Sequence, residues 1–178
     1  MSPTDRPVIE LGRPGDEGLP DNEAVIAALS SPAPGPMAQR LLLLLHFTGR
    51  RTGRAFTIPV GAHTLDDQLV LATSGTWRHN FAGGADAEIT WQGARQAARL
   101  ELVTEPVRVA NSYLRLIRLY GPAAQRRLDL TINSDGPPTT ADLRDAVERY
   151  GLSLIDVRLL APGPSAPTES AAPERTRA

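Results

Sequence analysis

Seven consecutive residues, Thr48-Gly49-Arg50-Arg51-Thr52-Gly53-Arg54, hold the densest chemical signal in this chain. Three guanidinium groups stand among two glycines and two threonines. Glycine lets backbone N–H groups approach an oxyanion closely, the hydroxyls can donate, and each Arg fork matches a phosphate or carboxylate with two bonds. The segment reads as an anion site in a tight turn. The same residues would make a solvated hairpin turn whose charges keep a sheet edge soluble, and residue types alone leave both readings open.

Other reactive side chains are scattered. Trp77 and Phe81 lie at helical spacing, which suits a helix-to-sheet packing pair as well as the cover of a bound ring. His46, His63 and His79 have no ligand-like spacing, so no metal site is expected. No Ser/His/Asp order or carboxylate pair supports hydrolysis or glycosyl chemistry. Tyr113 and Tyr120 share one face of a helical stretch, the pattern of a core stripe.

The elements that must position these groups follow from pattern. Apolar residues in 40–47 predict a strand buried on both faces. Phe56, Ile58, Val60 and Ala62 alternate with Thr57, Pro59, Gly61 and His63, the period of a half-buried strand. Leu65-Asp66-Asp67 turns the chain into a strand over 68–73, and a short polar segment, 74–84, follows. Strands over 88–91 and 95–103 flank Gln92-Gly93 as a hairpin. The period then changes. Val109 to Leu128 predicts an amphipathic helix, bent at Gly121-Pro122, and Thr139 or Thr140 caps a helix that ends at Gly151. A closing strand over 152–160 completes an α+β domain on a mainly antiparallel sheet, most simply closed into a small barrel.

Composition bounds the reading. The chain has 178 residues, 41% hydrophobic and 22% charged, the size and makeup of one globular domain. Its formal charge is -1 and aromatic residues are only 4%, so a nucleic-acid surface is not expected. All 19 basic residues are Arg, which makes every basic site a planar, permanent fork. Cysteine is absent, removing thiolate sites and nucleophiles. No apolar run approaches the ~18 residues of a membrane span, and the acidic start lacks a signal-peptide pattern, so a cytoplasmic protein is expected. Pro and Gly clusters divide the chain into a leader over 1–36, expected to be partly disordered with a short helix near 21–29, a body over 37–160, and a tail over 161–178 expected to be disordered. Pro32, Pro34 and Pro36 should stop the leader helix.

Taken in order, Thr48 to Arg54, Thr57 to Val60 with its T-x-P, Leu71 to Gly75, and Trp77-Arg78-His79-Asn80-Phe81 resemble the deazaflavin-dependent nitroreductase family, also called the coenzyme F-420 quinone reductase family. The loop at Asp135 to Pro138 and the final Val157-Arg158-Leu159 strand extend the resemblance over about 41–160. It implies a split β-barrel of the flavin-reductase kind, with helices inserted before the last strand. It also implies a reduced 8-hydroxy-5-deazaflavin, coenzyme F-420, giving hydride from carbon 5 of its ring to a small-molecule electron acceptor: a quinone, a nitro compound or an activated alkene.

The resemblance carries roles onto matching residues. Arg50, Arg51, Thr52 and Arg54 would hold the phosphate and glutamate carboxylates of the cofactor. Thr57, Ile58, Pro59 and Val60, with Ala72, Thr73, Ser74 and Gly75, would line the ring, and Trp77, Arg78 and Asn80 would close the site. Tyr113 or Tyr120 would orient or protonate the substrate. A homodimer is a further expectation, because small split barrels often complete their sites across a subunit interface. Three departures bear on cofactor preference: Arg51 stands where lysine is common, the 74–77 connection is short, and Gly61-Ala62-His63 replaces a more apolar continuation. FMN in the same barrel and a non-catalytic cofactor or ligand binder remain alternatives, with a structural protein a third.

Overall fold

The computed structural model describes residues 6–12 and 21–161. Strand β1 (Ile9–Leu11) comes first, then helix α1 (Asn22–Ser30), whose N-cap Asp21 accepts the Ala24 N–H at 2.8 Å. Helix α2 (Pro36–Leu41) follows, with Pro36 in its first turn, where a missing N–H costs nothing. α1 thus ends ahead of Pro32, Pro34 and Pro36 as expected, but Pro36 also starts a further helix, which takes Arg40 and Leu41 out of the expected strand. That strand is β2 (Leu42–Thr48), with Leu43, Leu44 and Leu45 at 0–1% exposure, buried on both faces as expected.

Three tight reversals build most of the sheet. The arginine-rich turn joins β2 to β3 (Ala55–Gly61), pairing Thr48 with Ala55. After Ala62, β4 (His63–Leu65) turns through Asp66 and Asp67, whose φ of 51° and 61° make the turn twisted like the strands it joins, into β5 (Gln68–Thr73). Gln92 and Gly93, at φ 50° and 80°, join β6 (Ala85–Trp91) to β7 (Ala94–Val103) in the same way. Between β5 and β6 lies the 3-10 helix Thr76–Phe81.

The helical lobe then intervenes. Helix α3 (Pro106–Tyr120) is capped by Glu105, which accepts from Val107 and Arg108 N–H. Gly121, at φ 52°, breaks the helix into a 3-10 turn and α4 (Ala124–Leu128), so the expected bend is a break. A short strand, β8 (Leu130–Ile132), pairs with β1 in a ribbon that the sequence pattern missed. Helix α5 (Thr140–Tyr150) starts on a capping box between Thr139 and Asp142 and ends at Gly151, φ 68°. Strand β9 (Ser153–Leu159) closes the chain. The expectation for the tail lies beyond residue 161, outside the described residues.

The larger sheet is antiparallel throughout, in the order β3-β2-β6-β7-β9-β5-β4. Its two outermost strands, β3 and β4, are separated in the chain by Ala62 alone. The sheet must therefore curl until its edges meet at that residue, which is 2% exposed and hydrogen-bonds the Leu41 carbonyl at 2.9 Å. Away from this corner, β3 approaches β5, but the ladder bonds of β5 go to β4 and β9 and none to β3. The seam is thus closed at one end and unzipped towards the arginine turn.

Two apolar cores result. Inside the curl lie Leu43, Leu45, Val60, Leu71, Ile89, Leu100 and Ile155, with Phe47 and Phe81 at the open end. Between sheet and helices lie Val109, Tyr113, Leu116, Leu143, Val147 and Leu154, joined by Ile9 from β1. Each fully buried aliphatic side chain contributes roughly 1.5–3 kcal/mol. The leader strand is held on this second core by Asn133, whose side chain donates to the Pro7 carbonyl at 2.9 Å.

Candidate cofactor site

The arginine turn is rigid at its backbone and open at its charges. Gly49 N–H donates to Arg54 O and Gly53 N–H to Gly49 O, both at 2.8 Å. Gly49 is buried, and a Cβ there would lie 2.9 Å from both the Phe56 ring and Thr52 Oγ1, so the turn needs glycine for space. The Arg50 N–H donates to Asn80 Oδ1 at 2.8 Å, and the Arg50 guanidinium to Ala82 O at 2.8 Å. Arg50 and Asn80, both expected to touch a ligand, thereby lash the turn to the 3-10 helix. Asn80 completes the lash by donating to Trp77 O at 2.8 Å.

Arg51 and Arg54 behave differently. Both are exposed, and among the described residues neither guanidinium has a hydrogen bond or an ion pair. Arg54 lies over the Phe56 ring, 5.8 Å from its centre. Two permanent cations thus stand beside a rigid turn without a carboxylate partner among the described residues. Thr52 Oγ1 accepts the Arg54 N–H at 3.3 Å, leaving its hydroxyl proton free to donate outward.

Next to them is an aromatic shelf that spacing alone did not reveal. Phe47 and Phe56 stack at 5.3 Å across the β2–β3 pair, Phe81 meets Phe47 edge-on at 5.6 Å, and Trp77 meets Phe81 at 6.1 Å. Phe81 and Phe47 belong to the barrel core, whereas Phe56 is 38% exposed and Trp77 half-buried. The usable sequence signal was the hairpin register, which places Phe47 opposite Phe56.

The remaining candidates divide by face. Ile58 and Val60 point inward with Phe56, while Thr57 and Pro59 alternate outward. Thr57 Oγ1 is engaged with His46 Nδ1 at 3.1 Å, and His46 Nε2 reaches Thr90 Oγ1 at 2.9 Å. Burial, with Arg95 nearby, holds His46 below the usual imidazole range. Across the seam, Thr73 Oγ1 accepts the Gly75 N–H at 2.9 Å and Ser74 O accepts from Arg78, so these residues form a braced ledge. Ala72 packs on the helical core.

The two tyrosines are not brought to the shelf. Tyr113 is 1% exposed, and its hydroxyl is within 3.4 Å of Ser153 O; burial pushes its phenol up, so it stays protonated. Tyr120 sits at the opposite end of β3, against His63 at 2.8 Å, and burial raises its phenol too. His79 is exposed, and among the described residues no three His, Cys, Asp or Glu side chains gather as a metal site. No described helix is long and apolar enough to cross a membrane.

A separate cleft of about 680 Å³ lies between α3 and the β4–β5–β9 edge. Ion pairs of 2.6 Å join Arg115 to Asp66 and Arg108 to Asp156 in it, while Glu105 there caps α3. In the arginine turn, by contrast, Arg51 and Arg54 make no ion pair among the described residues.

No family model matches the chain, and no curated protein matches it. A solved structure titled "F420 Reductase" is similar over 68% of this chain and 88% of that chain, at 18% identity and a TM-score of 0.37.

Proposed function

We propose that this chain is an oxidoreductase that binds reduced coenzyme F-420 along the unzipped seam and serves hydride transfer to a small-molecule acceptor, a quinone, nitro compound or activated alkene. The observation that carries the reading is the pairing of two uncompensated guanidinium groups with a half-exposed aromatic shelf on a rigid turn. A planar apolar ring with an anionic tail is the ligand chemistry that satisfies both halves. When bound, the deazaflavin supplies the hydride.

The chain supplies binding and orientation. Arg51 and Arg54 hold the anionic tail, with Thr52 donating beside them. Phe56 and Trp77 flank the ring and exclude water, while Ile58, Val60 and the ledge from Ala72 to Gly75 bound the seam. Arg50 and Asn80 keep turn and shelf in register. Thr57 acts through His46 and Pro59 shapes the edge strand. No proton donor is given to Tyr113 or Tyr120.

Fluorescence titration with oxidised deazaflavin and, in parallel, FMN at low and high salt tests this. Saturable, salt-weakened binding of the deazaflavin alone is expected. Preference for FMN would move the reading to a flavin enzyme of the same barrel, and binding of neither would return the turn to a solvated hairpin.

A further inference from the structure

We infer that Arg78 is a positioning residue that clamps the Ser74–Gly75 ledge to the end of α5 and so sets the pose of Trp77. The inference rests on the cofactor reading above, which makes Trp77 part of the site.

Arg78 turns one nitrogen, Nη1, to backbone. Nη1 donates to Ser74 O and, at 3.0 Å, to Gly75 O, while Nε is buried with no partner among the described residues. On the far side, a Cβ at Gly151 would lie 2.8 Å from Nη2. Gly151 is the left-handed cap of α5, so its backbone and the guanidinium share one tight space. A cation at a helix C-terminus is also favoured by the aligned peptide dipoles. The Tyr113 phenol on α3 feels the same guanidinium, which partly opposes the upward push of burial.

The ledge passes this constraint to the indole. A Cβ at Gly75 would lie 2.5 Å from Trp77 Nε1 and 2.7 Å from Cδ1, so the indole rests on the Gly75 backbone. The chain of contact runs from α5 through Arg78 and Gly75 to Trp77. A helical lobe remote from the arginine turn thereby determines where the shelf ends. Arg78 works through its neighbours and need not touch a ligand.

The test uses the full chain in a Trp91→Phe background, which leaves Trp77 as its single tryptophan. Arg78→Met keeps the stem and removes the donors; Arg78→Lys restores donors without the fork. Acrylamide quenching of the ligand-free protein should rise about twofold in Arg78→Met. Its dissociation constant for oxidised deazaflavin should rise about tenfold with the salt slope unchanged, and Arg78→Lys should fall between. Gly151→Ala, which crowds the clamp from the other side, should shift quenching in the same direction and keeps the test alive if Arg78→Met does not fold. Parental quenching in Arg78→Met overturns the inference, as does a flattened salt slope, which would make Arg78 a direct anion contact. If the parent binds no deazaflavin, the cofactor reading fails while the quenching comparison still decides the clamp.

Discussion

The two ends of strand β3 are opposites. At Gly61 the chain enters a corner where polar side chains meet one another: Arg127 Nη2 donates to Ala62 O at 2.9 Å and reaches Tyr120 Oη at 3.4 Å, and Tyr120 meets His63 Nδ1 at 2.8 Å. The Arg127 guanidinium also lies 4.3 Å from the centre of the Tyr120 ring. At Ala55 the same strand leaves a turn whose Arg51 and Arg54 guanidinium groups have no hydrogen bond or ion pair among the described residues, Arg54 lying only over the Phe56 ring. A corner that closes a sheet gains stability from saturation; a site for an anion must leave charge uncompensated until its ligand arrives. The difference separates an end of the strand held by its own contacts from an end whose charges face solvent.

The sharpest way to break that comparison is His63→Ala. The substitution removes a side chain 2% exposed and strands the Tyr120 hydroxyl, at a cost of about 3 kcal/mol. Urea unfolding should show the loss, while deazaflavin affinity at a permissive denaturant-free condition should hold. Equal loss of binding would mean the two ends are not separable.

Acid tests the same corner almost as strongly. Burial first, then the charge of Arg127, lowers His63 from 6.5 to about 4. The unfolded chain therefore takes up a proton below about pH 6.5 that the folded chain refuses until about pH 4. Stability falls as pH drops through this window and levels below it, by about 3 kcal/mol in all. His63→Gln, which keeps an acceptor for Tyr120 but cannot titrate, should flatten the slope between pH 6.5 and 4.5. An unchanged slope would assign the acid loss to carboxylates.

At the other end, Arg51→Ala should leave the unfolding midpoint alone and weaken deazaflavin binding by about 1.5–3 kcal/mol, with a shallower salt dependence. Unchanged affinity would make this end as inert as an ordinary solvated turn.

Much of this contrast was legible in the sequence, because it is local. The alternation of Phe56 to Ala62, the Asp66-Asp67 and Gln92-Gly93 turns, the Thr139 cap and the Gly121-Pro122 interruption each act over a few residues. What escaped depends on distance along the chain. Three-residue β1 and β8 are too short to show a period and pair across more than a hundred residues. Arg127, His63 and Tyr120 meet only once the sheet has curled, and β9 enters between β7 and β5 for reasons of topology that no window displays. The turn at 48–54 was read correctly as dense in charge, but its division into Arg50, spent on Ala82, and Arg51 and Arg54, left free, needed the 3-10 helix in place. The leader helix does end ahead of its prolines, but the start that Pro36 gives α2 escaped because proline's signal changes sign between a helix interior and a helix start.

The smallest expected effect sharpens the comparison from inside the closed end. Asp66 makes two bonds to Arg115, at 2.8 and 2.6 Å, which looks like strong closure of the β4–β5 turn onto α3. The partners are nevertheless open to solvent, at 73% and 49% side-chain exposure, where water already serves both charges and salt screens their attraction. Asn accepts the left-handed conformation that Asp66 occupies at φ 51°, so Asp66→Asn removes the charge without straining the turn. Its urea midpoint should be indistinguishable from that of the parent. The geometry of the two acid-sensitive features near this corner is equally good, so only burial separates them: desolvation makes the neutral His63 matter, and its absence makes the charged Asp66 dispensable. A loss for Asp66→Asn comparable to that for His63→Ala would show that the corner is held by ion pairing rather than by the saturated, buried contacts around Ala62.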